Sequence, residues 1–200
     1  MFFVTFIGFF TSITLHEFGH CLFYRVQGIP AQQSLVKEYP MHDITVTQYA
    51  IGSWGGILLN WIFITVLFFL AFYFNKRQKG TASFITRGFF YGQSILLLIY
   101  GIFLIKGEDK TEFVFAQNLL HMPLYSIVII TLIMTGIFVY LFVSGHHIKI
   151  TVPKAVLTVC TIVFLIIFTA LLEEYDAKTN WHKYPTVKIG DMMLYNEPVK

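Results

Sequence analysis

Charge is what this sequence has least of. Lys, Arg, Asp and Glu make up 12% of its 200 residues, about half the share usual in a soluble domain. The formal net charge of +3 is too small to point to a nucleic-acid partner. Cysteine is scarce as well: Cys21 and Cys160 are the two in the chain, both inside apolar runs. They exclude a disulfide framework and a paired-cysteine metal motif, and they read as two small buried side chains. The first apolar run lacks the basic start and the small-residue cleavage pattern of a secretory signal, so it is expected to be retained as a span. Internal repeats, low-complexity tracts and lipidation motifs are missing too.

Apolar sequence is abundant: 56% of residues are hydrophobic and 18% aromatic. They form five long runs, at about 1–26, 49–74, 83–105, 123–143 and 152–172. Each is long enough to cross a hydrocarbon layer of about 30 Å as a helix. In lipid only a helix or a closed barrel satisfies its own backbone, and these runs are too long and uniform for barrel strands. The expected fold is an all-α polytopic membrane protein with about five transmembrane helices. One transmembrane domain would cover 1–172, followed by a polar tail over 173–200. Between the first two runs, SLVKEY (34–39) and DITVTQY (43–49) read as short strands around a Pro-Met-His turn, a small β-hairpin in the 31–48 loop. The Lys and Arg residues of the 75–80 and 146–154 loops place those loops on the cytoplasmic side. The 27–48 and 106–122 loops and the tail would then face outward.

Inside the first run stands TLHEFGHCLFY, residues 14–24. Ionisable side chains are costly in lipid and are rarely kept there without a partner or a task. His16 and His20 are four residues apart, so a helix puts both imidazoles on one face, where both can bind one metal ion. Glu17 sits beside that face and can reach a water on the metal without being a ligand. This is the H-E-x-x-H arrangement of zinc hydrolases, with Zn2+ as the expected cofactor. Zinc brings the pKa of such a water toward about 7, and Glu17 would take its proton as general base. The competing reading is an interhelical hydrogen-bond cluster near a membrane interface. The end of the span lies about 9 Å beyond His20, so the group sits below the membrane surface. Alternate crossing of the bilayer brings the end of the first run, the start of the second and the segment after the third to one side. His146 and His147 fall on the other side, and His42 and His182 read as surface histidines.

HEFGH in a first membrane span, followed by IGSWGGILLNWI at 51–62, resembles the site-2 protease family of intramembrane zinc metalloproteases. In that family a Gly-rich stretch precedes an Asn in the next span, and Asn60 matches it. The resemblance covers about the first 125 residues, the expected catalytic core. It implies hydrolysis of peptide bonds in membrane-spanning or membrane-adjacent proteins, with the lipid bilayer as setting. It implies His16 and His20 as metal ligands, Glu17 as the base and Asn60 as an electrophilic helper. The family's third ligand is usually the Asp of a Leu-Asp-Gly tripeptide, which this chain lacks. Asp109, in KGEDKTEFVFAQ, matches the Asp of compact relatives, with Glu112 and His121 as alternatives. An Asp109 ligand requires residues 110–120 to fold back toward the bilayer. A strand edge of the hairpin would hold substrate extended, and Val46→Pro is expected to cut cleavage by breaking it. The sequence also allows a non-proteolytic metal-binding membrane protein, either a transporter or an inactive protease-like scaffold. An intact Glu17 argues against the scaffold, which has no use for it.

Overall fold

The computed structural model describes residues 1–105, 112–123, 125–145, 151–180, 183–191 and 193–195, with backbone alone for 100–105 and 193–195. In chain order the elements are α1 (Phe2–Val26), β1 (Ala31–Gln33), β2 (Glu38–Pro40), α2 (Val46–Lys76), α3 (Gly80–Ile105), α4 (Glu112–Leu119), α5 (Ser126–Gly145), α6 (Val152–Asn180), β3 (Val187–Ile189) and β4 (Met193–Tyr195). Five of these helices, α1, α2, α3, α5 and α6, are long and apolar enough to cross a membrane. The chain is a multi-pass integral membrane protein.

Local sequence sets the helix ends. α1 stops at Gly28, whose φ of +76° is open to a residue without Cβ. Its amide donates to Arg25 O at 3.0 Å and the Ile29 amide donates to Tyr24 O at 3.0 Å, closing the last turn in a Schellman pattern. α2 starts at a capping box. The Gln48 amide donates to Thr45 Oγ1 at 3.1 Å, and the Thr45 amide donates to Gln48 Oε1 at 2.9 Å.

This start corrects one expectation. DITVTQY is not a strand: its second half is the cap and first turn of α2. The hairpin of the 31–48 loop is instead β1 with β2, antiparallel, with Ala31 opposite Pro40 and Gln33 opposite Glu38. Ser34 closes the turn, its amide donating to Lys37 O at 2.8 Å. Ile44 pairs in parallel with Ile189. The tail therefore carries order that its polar composition did not announce, since β3 and β4 form a second antiparallel hairpin.

The described residues group into two compact units. One comprises Met1–Ser12, Asn60–Lys106 and Val128–Thr169. Its interior is aromatic: Phe68 stacks on Phe138 with centroids 4.8 Å apart, and Phe90 meets Phe142 at 5.2 Å. Cys160, expected to be buried, is exposed on α6, a helix that turns most of its apolar side chains outward. That is the face a span offers to lipid.

The other unit comprises Ile13–Leu59, Gly107–Ile127 and Ala170–Lys200. Its apolar core joins Tyr24, Ile29, Ile44, Tyr49, Phe115 and Ile189. Two polar ties hold its hairpins. The Lys188 amide donates to Asp43 Oδ1 at 2.7 Å. Asp176, fully buried near the end of α6, accepts from Ser34 Oγ in the β1–β2 turn and from Asn180 Nδ2 at 2.6 Å.

Candidate metal centre

The candidate site lies within the second unit. α1 and α2 approach each other there with almost no side chain between them: a Cβ on Gly19 would stand 2.4 Å from Gly55 O, and one on Gly55 would stand 2.2 Å from Gly19 O. Small residues at such a crossing let two backbones pack directly. They also leave α1's imidazoles room against α2. A Cβ on Gly56 would lie 2.4 Å from His20 Nε2 and 2.7 Å from His16 Cε1.

His16 and His20 turn their rings together, with centroids 4.5 Å apart and planes at 87°. Their Nε2 atoms are 3.0 Å apart. α4 brings Glu112 to both, with Oε1 3.0 Å from His16 Nε2 and Oε2 2.7 Å from His20 Nε2. α4 is held beside α2 by Trp54, whose indole Nε1–H donates to Ala116 O at 2.8 Å. The two histidines are 2% and 1% exposed, so water does not compete for their ring nitrogens. Burial alone would push the Glu112 carboxyl up. When the facing imidazoles are protonated, their charge outweighs that and holds it well below the usual carboxylate range.

The donor set fits a metal ion. His20 Nδ1 lies 2.9 Å from Gly52 O, and a carbonyl can only accept, so Nδ1 carries the proton. In the neutral ring Nε2 is then a bare acceptor. It faces the Glu112 carboxylate and the other imidazole, and with His16 Nε2 likewise unprotonated three acceptors would converge where a cation satisfies all of them. A backbone carbonyl that fixes the tautomer of a ligating histidine is a common second-layer arrangement around metals. The buried His16, His20 and Glu112 group can hold a metal ion.

Glu17, 7% exposed, is not one of the three. It belongs to a second set with His20 and Glu38, whose ligand atoms also lie within 4.8 Å of one another. Glu38 sits on β2 and is 8% exposed. Sequence reading missed it, because a Lys-Glu pair in a loop looks like solvated charge. Tyr24 was missed too, although its spacing from His16 and His20, four residues at a time, is visible in the sequence.

The remaining expected site residues lie elsewhere. Asp109 lies outside the described residues, as do His146, His147 and His182. Glu112, the alternative from the same stretch, reaches the histidines because α4 lies back against the unit with Phe113, Phe115 and Ala116 buried. His121 is exposed with a φ of +53° and has no part in either group. Asn60 begins the other unit, where it is buried and its Oδ1 accepts from Gln93 Nε2 at 3.1 Å. His42 is exposed, as expected.

No protein-family model, curated protein or solved structure matches the chain.

Proposed function

We propose that the chain is an intramembrane zinc endopeptidase, similar in its chemistry to the site-2 protease family, acting on membrane-spanning or membrane-adjacent proteins. One observation carries the reading. Two buried histidines of a candidate span and a carboxylate converge on one point, and a fourth side chain, the acidic Glu17, stands beside them without belonging to the trio. Stable ionic clusters of this kind are rare in spans unless they do work.

His16, His20 and Glu112 would hold the ion. A bound Zn2+ makes water acidic enough to be deprotonated near neutral pH and polarises a carbonyl. Glu17 takes the water's proton as the water oxygen bonds to the peptide carbon. It then hands that proton to the leaving nitrogen as the C–N bond breaks. The products are a carboxylic acid terminus, which gives its proton to water on release, and an amine terminus. Glu38 stands in one cluster with Glu17 and His20. The β1–β2 hairpin, one residue of which is Glu38, offers short strand edges for an extended substrate.

A second reading draws support from Glu38. Glu17, His20 and Glu38 are three potential ligands around a shared histidine, as a cation carrier would have. In a carrier Glu17 is a ligand; in a peptidase it is a base. Purified protein and its Glu17→Gln variant separate the two. Metal retained with cleavage of a transmembrane substrate lost supports the peptidase. Metal lost from the variant supports the carrier.

A further inference from the structure

His16, His20 and Tyr24 follow one another at four-residue intervals on α1 and so share one stripe. The first two point to Glu112. Tyr24 is fully buried, and its hydroxyl has no hydrogen-bond partner among the described residues. Buried tyrosines normally place that hydroxyl on an acceptor, because a dry, unpaired O–H is destabilising. The ring that bears the orphan also packs on a residue that holds the metal group. The ring edge that bears the hydroxyl lies on Gly52, where a Cβ would come within 2.5 Å of Tyr24 Cζ. Gly52 is the residue whose carbonyl orients His20. Helical side chains lean toward the N-terminus, so Tyr24 leans back toward the His20 turn.

We infer that Tyr24 is a catalytic residue whose hydroxyl donates a hydrogen bond to the carbonyl oxygen of the scissile peptide. This rests on the peptidase reading above. As water attacks, the carbonyl's π pair moves onto that oxygen, and the Tyr24 O–H meets the growing negative charge. No proton leaves the phenol. When the pair returns and the C–N bond breaks, Tyr24 is as it began, and the only proton moved has gone from water through Glu17 to the amine. A donor placed this way binds the charged oxygen more strongly than the neutral one, so it acts on kcat more than on KM.

The test compares the full chain with Tyr24→Phe in detergent, loaded with zinc, on a transmembrane peptide. kcat should fall about 100-fold, as for loss of one oxyanion donor, with KM and zinc content unchanged. The unfolding midpoint should stay level or rise, since an unpaired hydroxyl has been removed. A phosphonamidate peptide, whose anionic oxygen stands in for the carbonyl oxygen under attack, should bind the variant about 100-fold more weakly. Equal kcat, or equal phosphonamidate affinity, overturns the assignment while leaving the peptidase reading intact. Loss of zinc or of stability in the variant also overturns it, by making Tyr24 structural. A wild-type protein that holds zinc and cleaves nothing removes the peptidase reading and this assignment with it.

Discussion

Gly56 of α2 lies so close against His20 of α1 that a Cβ on it would stand 2.4 Å from the histidine's Nε2. The atom that crowds that space is the nitrogen that faces Glu112. Gly56→Ala therefore removes no ligand, yet must displace the ring that supplies one. The expected outcome is metal affinity lowered by more than about 10-fold, the lower end of what second-layer changes cost, with all three ligands in place. Metal content after dialysis against a weak chelator measures it. An alanine variant that holds metal as wild type does would show that the ring moves aside freely.

Glu112 and His121 make opposite predictions. Glu112 touches both imidazoles, at 3.0 and 2.7 Å, whereas His121 is exposed beyond α4. Glu112→Ala should cost more than about 100-fold in metal affinity, beyond the range of a second-layer loss. His121→Ala should cost nothing. Metal analysis of the two variants beside Asp109→Ala sorts the acidic stretch that the sequence left open. Retained metal in Glu112→Ala would remove it from the ligand set.

The five spans, the histidine pair and the neighbouring glutamate were all legible before any coordinates. Apolar length and four-residue spacing are local signals, and in lipid they are hardly negotiable. The third candidate ligand was narrowed to a stretch but not fixed, because which carboxylate reaches the histidines depends on how α4 lies. Glu38 was invisible for a related reason. It joins Glu17 and His20 only because β2 lies against α1. The hairpin was found but misplaced, since Thr45-Val46-Thr47-Gln48 satisfies both a β-rich composition and a capping box, and the box won.

That capping box reverses one expectation. Val46 is the first residue of α2, with the cap formed by Thr45 and Gln48 on either side. Proline is well tolerated at the first helical position, where the amide has no intrahelical partner. Val46→Pro should leave folding and cleavage intact instead of breaking a strand edge. Thr45→Ala should lower stability by about 1 kcal/mol. Unfolding midpoints of the two variants in one detergent give the comparison, and a proline variant less stable than the alanine one would restore the strand.

Asp176 is the remaining buried carboxylate among the described residues, and it ties the β1–β2 turn to the end of α6. It is fully buried, accepts from Ser34 in the β1–β2 turn, and accepts from Asn180 at 2.6 Å one turn along α6. The hairpin it holds also carries Glu38, which lies in the same cluster as Glu17 and His20. Asp176→Ala removes the acceptor shared by the turn and the end of α6, and leaves Ser34 Oγ with Lys37 O alone. Hydrogen bonds to a charged group are worth about 1.5–3 kcal/mol each, so the loss should lower the unfolding midpoint clearly. Glu38 would lose its fixed position while His16, His20 and Glu112, which hold one another across α1 and α4, stay together. Cleavage should therefore fall with metal content unchanged. Ser34→Ala removes one of the same bonds from the other side and should give a smaller effect of the same kind. If Asp176→Ala releases the metal, the hairpin and the metal group are mechanically one piece, and Asp176 supports the centre itself.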